Sequence, residues 1–266
     1  MTNPAPILCF DFDGTLVDPD GRIHPDDVAV LGSETGAILV PATGRPLHSV
    51  RTALREHGLF ADRPVAFPLI LENGAVVYDE DEVVRSRSAF PDDVRDPLLD
   101  ALFATPEITF IVHQGDEVRI LHPSQAGDRM VERFSLETVA YNTSNGRDDP
   151  LTKVVCVAPT PEPLQAFAER TSGLPMERAF SLPTVLEFNA EGIDKGTGLA
   201  ALIDGRPAGT QVLVAGDGGN DLPLFPLADV GFAPEESLQA VLDLAHRVID
   251  VRERGILTPM LESIGA

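Results

Sequence analysis

Residues 6–18 read PILCFDFDGTLVD. An apolar run ends in two aspartates two positions apart, Asp11 and Asp13, followed at once by Gly14. Side chains alternate along an extended strand, so both carboxylates point the same way at the place where the strand stops. Two like charges so placed repel, and something of opposite charge has to compensate them.

Three further runs have the same character. GAILVPA (36–42), VAFPLIL (65–71) and QVLVAG (211–216) are continuously apolar, as strands buried on both faces of a parallel sheet are. PLHSVRTALREHG (46–58), KGTGLAALID (195–204) and EESLQAVLDLAHR (235–247) space their apolar residues as amphipathic helices do. The two ends of the chain therefore predict one α/β domain, a Rossmann-like parallel sheet core with helices on both faces. The middle differs. ITFIVHQGDEVRILH (108–122) is two apolar runs around a Gly-Asp turn, which signals a hairpin. LTKVVCVAP (151–159) and AFSLPTVLEFNA (179–190) add strands, and EPLQAFAERTSG (162–173) is a helix ending at glycine. This pattern predicts an inserted α+β unit over residues 80–188, leaving 1–79 and 189–266 for the core. NTSNGRDD (142–149) reads as a loop of the insert.

With 266 residues, 43% of them hydrophobic, the chain buries a substantial core in one large domain or two smaller ones. Its 42 acidic against 20 basic residues leave a net charge of -22. That charge repels nucleic acid and anionic lipid, and neither is an expected partner. Lysine occurs only at 153 and 195; an acidic, arginine-rich surface fits a salty cytoplasm and a high-GC codon bias equally well. Cys9 and Cys156 lie inside apolar runs, as buried thiols of a reducing compartment do. The first ten residues carry no basic leader, and no apolar run approaches the roughly 18 residues that cross a bilayer. The expected location is the cytoplasm, and the oligomeric state is not legible. The six histidines show no zinc spacing and are expected at the surface or as caps.

Ligands of open parallel sheets bind beyond the carboxyl ends of the strands. Asp11 and Asp13 follow the first run, Thr43 and Arg45 of ATGR the second, and Asp217, Asn220 and Asp221 of GDGGND the run at 211. Lys195 opens a helix. Together these place four carboxylates, a hydroxyl, an amide and an ammonium around one crevice. Converging carboxylates cost several kcal/mol unless a cation shares them. An all-oxygen ligand set without His or Cys suits Mg²⁺. Each patch alone is ordinary: a capping aspartate in a turn, a helix start, a loop or calcium turn.

In this order, DFDGT, TGR, the lysine of GIDKG and GDGGND resemble the four motifs of the haloacid dehalogenase-like phosphatases. The insert resembles the α+β cap of the Cof-type branch, where ENGA (72–75) also has its usual place. The resemblance implies a Mg²⁺-dependent phosphomonoesterase acting on a small phosphorylated metabolite, such as a sugar phosphate, through an aspartyl-phosphate. It makes Asp11 the nucleophile and Asp13 the general acid and then base. Gly14 turns the backbone so that N–H groups face the phosphoryl oxygens, while Thr43 with Gly44 binds the phosphoryl group and Lys195 neutralises it. Mg²⁺ is held by Asp11, the carbonyl of Asp13 and Asp217, with Asp221 a direct or outer ligand, and Asn220 binds phosphate or orients a ligand. Arg45 fits a phosphate contact or a structural ion pair. Glu187 and Asn189 of LEFNAEG reach substrate or simply form the polar face of a strand. A phosphosugar mutase and a non-catalytic ligand-binding regulator are the competing functions; a binder has no need of both Asp11 and Asp13.

Overall fold

The computed structural model describes residues 4–61, 63–141 and 148–265. The chain enters through β1 (Ile7–Asp11), α1 (Pro25–Leu31), β2 (Ile38–Ala42), α2 (Leu47–Glu56), β3 (Leu69–Leu71), a 3-10 turn (Glu72–Gly74), β4 (Val76–Tyr78) and β5 (Val84–Arg87). It continues with α3 (Asp92–Phe103), β6 (Thr109–Gln114), β7 (Glu117–Leu121), α4 (Gln125–Arg133), β8 (Thr138–Ala140), β9 (Leu151–Val157), α5 (Pro161–Arg170), β10 (Met176–Leu182) and β11 (Val185–Ala190). It closes with α6 (Lys195–Ile203), β12 (Val212–Ala215), a 3-10 stretch (Gly219–Leu227), β13 (Val230–Pro234), α7 (Gln239–Leu242), β14 (Arg247–Ile249), α8 (Val251–Arg254) and α9 (Leu257–Ser263).

Two compact units result. The first holds the chain up to Gly44, Arg51–Ser86 and the chain from Asp194 on; the second holds Arg45–Val50 and Arg87–Ile193. The sequence places these limits at 79/80 and 188/189, but β5 runs on in the first sheet to Arg87 and β11 runs to Ala190 in the second.

The first unit is an eight-stranded sheet in the order β14-β13-β12-β1-β2-β3-β4-β5. Neighbours are parallel from β14 to β3, and β4 returns antiparallel to β3. The register sets the site. Asp11 stands opposite Ala42 of β2, and Phe10 opposite Ala215 of β12, so the chain leaves all three strands at one edge. The wholly apolar runs are explained by burial on both faces, with Cys9, Val40 and Val214 under Leu199 of α6. The second unit is a six-stranded sheet, β10-β11-β9-β6-β7-β8, antiparallel except for β7 against β8. One face packs Phe110 and Phe188 under Leu98 of α3 and Phe167 of α5, and the other packs Ile111, Val155 and Val185 under Met130 of α4. The α/β core with an inserted α+β cap is thus the observed fold.

Three local readings change. The run at 65–71 is a strand only from Leu69, because Pro68 has no N–H to give a ladder. The helix expected over 235–247 shrinks to Gln239–Leu242. Residues Arg247–Ile249 are claimed instead by pairing with β13, and the apolar Leu238 and Leu244 remain exposed. His113, expected at the surface, is buried in β6. The loop read at 142–149 falls, over 142–147, outside the described residues.

Asp27 ties the two ends of the first unit together. Its buried carboxylate accepts the N–H groups of Ile256 at 2.8 Å and Leu257 at 2.9 Å, the start of α9. Burial pushes its pKa up to about 6, against those backbone bonds. Asp27→Ala leaves two buried donors without an acceptor and should cost about 2–4 kcal/mol in urea unfolding. A native pKa of about 6 above the ordinary 3.8 means that the folded state holds the proton more tightly. The resulting stability is present below about pH 4 and is lost as pH rises through about 6. Asp27→Asn carries no such proton, so the stability difference should move in its favour over that window.

Candidate active site

Asp11 is the last residue of β1, and its neighbours form a tight loop: Val17 N–H donates to Phe12 O at 2.7 Å and Gly14 N–H to Val17 O at 2.8 Å. Gly14 sits at φ 100, and a Cβ there would lie 2.5 Å from Oδ2 of Asp217. Only glycine satisfies both conditions. Its own N–H is committed to Val17, and what Gly14 supplies is the turn. Asp13 is half-buried beside it.

Three elements meet Asp11. Lys195, the first residue of α6 and fully buried, donates from Nζ to Oδ1 of Asp11 at 2.5 Å and to Oδ1 of Asp221 at 2.6 Å. The helix start is set by Asp194, whose side chain accepts Thr197 N–H at 2.7 Å. Asp221 Oδ2 accepts the N–H groups of Asp217 at 3.0 Å and Gly218 at 2.9 Å, folding the GDGGND loop onto its own carboxylate. Asp217 Oδ1 in turn accepts Thr15 Oγ1 at 3.0 Å.

Burial drives the carboxyl of Asp11 well above the usual carboxylate range, Asp221 adds to this, and Lys195 opposes it. Asp217 is raised by burial and then by Asp221. Lys195 is raised too: burial works against its charge but is outweighed by Asp11 and Asp221. Burial also pushes the thiol of Cys9 up, which removes it as a nucleophile.

The donor set fits a divalent cation. Asp11, Asp217 and Asp221 offer oxygens all within 4.8 Å of one another. Oδ2 of Asp11 is buried with no hydrogen-bond partner among the described residues, and an unsatisfied buried carboxylate oxygen is costly unless a cation faces it. Asp13 is not part of that side-chain group; its expected contribution is a backbone carbonyl.

Thr43 and Asn220 belong to the same neighbourhood through Asn73, to which the motifs assign no role. Thr43, just past β2 and followed by Gly44, is buried; its N–H donates to Ile70 O at 2.8 Å and its carbonyl accepts Asn73 N–H at 3.0 Å. Asn220 Nδ2 donates to Asn73 Oδ1 at 3.4 Å. The Asn-Gly of ENGA is the one signal in the sequence that points to it. Three expected residues group with the second unit. Arg45 donates to Ser49 Oγ at 3.3 Å and stacks 4.9 Å from the Phe134 ring. Glu187, on β11, is ion-paired with Lys153 at 2.8 Å, and Asn189 donates to Thr152 O at 3.0 Å.

A family model described as haloacid dehalogenase-like hydrolase matches residues 8–258. An uncharacterised hydrolase of Schizosaccharomyces pombe is 28% identical over 97% of this chain and 90% of its own length. A phosphatase of 5-amino-6-(5-phospho-D-ribitylamino)uracil from Bacillus subtilis is 24% identical, covering 93% of each, and a phosphoglycolate phosphatase of Haloarcula marismortui is 26% identical over 94% of this chain and 93% of its own. Among solved structures, a haloacid dehalogenase-like hydrolase from Bacteroides thetaiotaomicron superposes with a TM-score of 0.81 at 21% identity, covering 98% and 99% of the two chains.

Removing the ammonium should expose what it compensates. In EDTA, Lys195→Met should lose about 3–5 kcal/mol in urea unfolding, because two buried carboxylates lose their partner. Added Mg²⁺ should return part of that loss.

Proposed function

The chain belongs to the haloacid dehalogenase-like hydrolase family and is a phosphatase of it; from that premise we propose a Mg²⁺-dependent phosphomonoesterase that hydrolyses a small phosphorylated metabolite, a sugar phosphate, through an aspartyl-phosphate on Asp11. The observation that carries this reading is the buried Asp11 carboxylate, with one oxygen on Lys195, the other without a hydrogen-bond partner among the described residues, and Asp217 and Asp221 grouped with it. The relatives with named substrates act on small phosphorylated compounds, one of them carrying a phosphorylated ribityl chain.

In this reading Asp11 attacks phosphorus, the Asp11 O–P bond forms and the ester P–O bond breaks. Asp13 gives its proton to the leaving alkoxide. Water then attacks the aspartyl-phosphate, Asp13 takes the proton back, and inorganic phosphate leaves with Asp11 restored. Lys195 and the Thr43 hydroxyl face the charge that gathers on the phosphoryl oxygens, and Asn220 orients the group. Mg²⁺, when bound by Asp11, the Asp13 carbonyl, Asp217 and Asp221, neutralises carboxylate and phosphoryl charge together. Two free buried thiols fit the reducing cytoplasm in which we place the protein, and no helix among the described residues is long and apolar enough to cross a membrane.

Phosphate release from a panel of sugar phosphates tests the reading. Activity should vanish in EDTA and return with Mg²⁺ more than with Ca²⁺, whose looser shell misplaces the nucleophile. Asp11→Asn should fall below about a hundredth of wild type, or about 2.7 kcal/mol of barrier. Full activity in EDTA sinks the mechanism, and an isomeric hexose phosphate in place of free phosphate points to a mutase. Substrate choice we assign to the cap, with Glu187 as the candidate. Glu187→Gln should reorder the sugar phosphates while largely sparing p-nitrophenyl phosphate, as kcat/KM across the panel will read.

A further inference from the structure

Glu72, Asn73 and Gly74 adopt φ values of 55, 58 and 97 in succession. Three consecutive left-handed residues, two of them not glycine, store strain of order 1–3 kcal/mol each at the non-glycine positions, and such strain persists only where the surroundings over-determine it. Those surroundings are the pieces of the phosphoryl site. The N–H of Asn73 holds the carbonyl of Thr43 at 3.0 Å, and its Oδ1 receives Nδ2 of Asn220 at 3.4 Å. A Cβ on Gly74 would lie 1.9 Å from the carbonyl oxygen of Asp194 and 3.3 Å from the backbone nitrogen of Lys195. The turn is therefore seated directly against the start of the helix that carries Lys195, and Gly198 of the same helix also approaches Gly74, a Cβ there lying 3.2 Å from its Cα. Asn73 itself is 6% exposed.

From this geometry we propose that the 72–74 turn is the element that places Thr43, Lys195 and Asn220 relative to one another, and that Asn73 is a positioning residue acting on the phosphoryl group through the Asn220 amide. This rests on the phosphatase reading of the same site. Asparagine suits the place for two reasons at once: it tolerates the left-handed region better than other side chains, and its carbonyl oxygen accepts the Asn220 N–H while its backbone clamps Thr43. Glycine would keep the backbone role and lose the amide; alanine would keep neither.

That separation makes the test. Asn73→Gly, Asn220→Ala and the double variant are compared with wild type in three readouts: kcat/KM for p-nitrophenyl phosphate, the dissociation constant for inorganic phosphate by calorimetry in Mg²⁺, and the melting temperature. Each single variant should lower kcat/KM by about 10- to 100-fold, the scale of a small misplacement of a group that faces the reaction, and should weaken phosphate binding. Their melting temperatures should stay near wild type. The double variant should be no worse than the worse single one, because both remove the same contact. Asn73→Asp, which keeps the left-handed preference and the acceptor oxygen, should lose less than Asn73→Gly and serves where the glycine variant does not fold. Losses that multiply in the double variant overturn the proposal, as does an Asn73→Gly enzyme with wild-type turnover and phosphate affinity, or a loss that follows a fall in melting temperature. Phosphate binding reads the site without turnover, so a wild type that binds phosphate but hydrolyses no ester removes the phosphatase reading and leaves the positioning result standing on the calorimetry.

Discussion

The ammonium of Lys195 is the group on which the carboxyl edge of the first sheet depends. Three aspartates bring their oxygens within 4.8 Å of one another. At such distances two carboxylates repel by about 3–4 kcal/mol in a medium of effective dielectric near 20. Lys195 bridges two of them, Asp11 and Asp221, at 2.5 and 2.6 Å. Three carboxylates against one ammonium leave two negative charges when all are ionised, which is the charge of one divalent cation. The raised carboxyls of Asp11 and Asp217 are the same fact seen from the proton's side: burial and mutual repulsion both work against the ionised forms, and a cation works for them.

Such crowding requires missing side chains as much as present ones. At Gly216 a Cβ would stand 2.4 Å from that of Asp221, and at Gly196 one would stand 2.4 Å from the carbonyl oxygen of Pro223. The second closeness lets α6 lie against the 3-10 stretch that carries Asp221, and so lets an ammonium on the first residue of α6 reach it. The capping box of Asp194 and Thr197 then begins the helix at Lys195 and nowhere else. Local backbone chemistry thus sets a distance that the electrostatics need.

The same division between local chemistry and contacts across the chain decides how much was legible in the sequence. Strands buried on both faces read as apolar runs, and the polar residues just beyond them stand out by contrast, so Asp11, Thr43 and Asp217 were found at three strand ends. Contacts made across the chain were not legible. Asn73 reads as an ordinary turn residue until its carbonyl is seen to meet an amide 147 positions away. The hydrogen bond of Gly14 N–H to Val17 O is likewise a matter of local closure that the letters DFDGT do not display. Residues 235–247 carry helical spacing, yet the edge of the sheet offers a full row of backbone partners to Arg247–Ile249 and takes them. Periodicity reports what a segment is able to do alone, and sheet pairing decides among those options.

The two lysines of a chain with 20 basic residues are both interior, at 2% and 0% exposure, while the guanidinium groups serve elsewhere. Arginine offers a planar fork that wants both oxygens of one carboxylate; an ammonium is a point charge whose donors diverge. At 195 the partners are single oxygens from two different carboxylates, one ending β1 and one on the 3-10 stretch after β12, and the diverging donors of an ammonium suit them. At 153 the problem is different. Lys153 on β9 stands opposite Asn189 and is ion-paired with Glu187 on the neighbouring β11, on the sheet face opposite Phe188. A slip of one residue in that pairing would turn the charges toward the aromatic layer of Phe110, Phe167 and Phe188, at the cost of an unpaired buried ion. The pair therefore favours the observed register of β9 against β11, alongside the apolar residues on both faces, as Lys195 favours the arrangement of carboxylates in the first sheet.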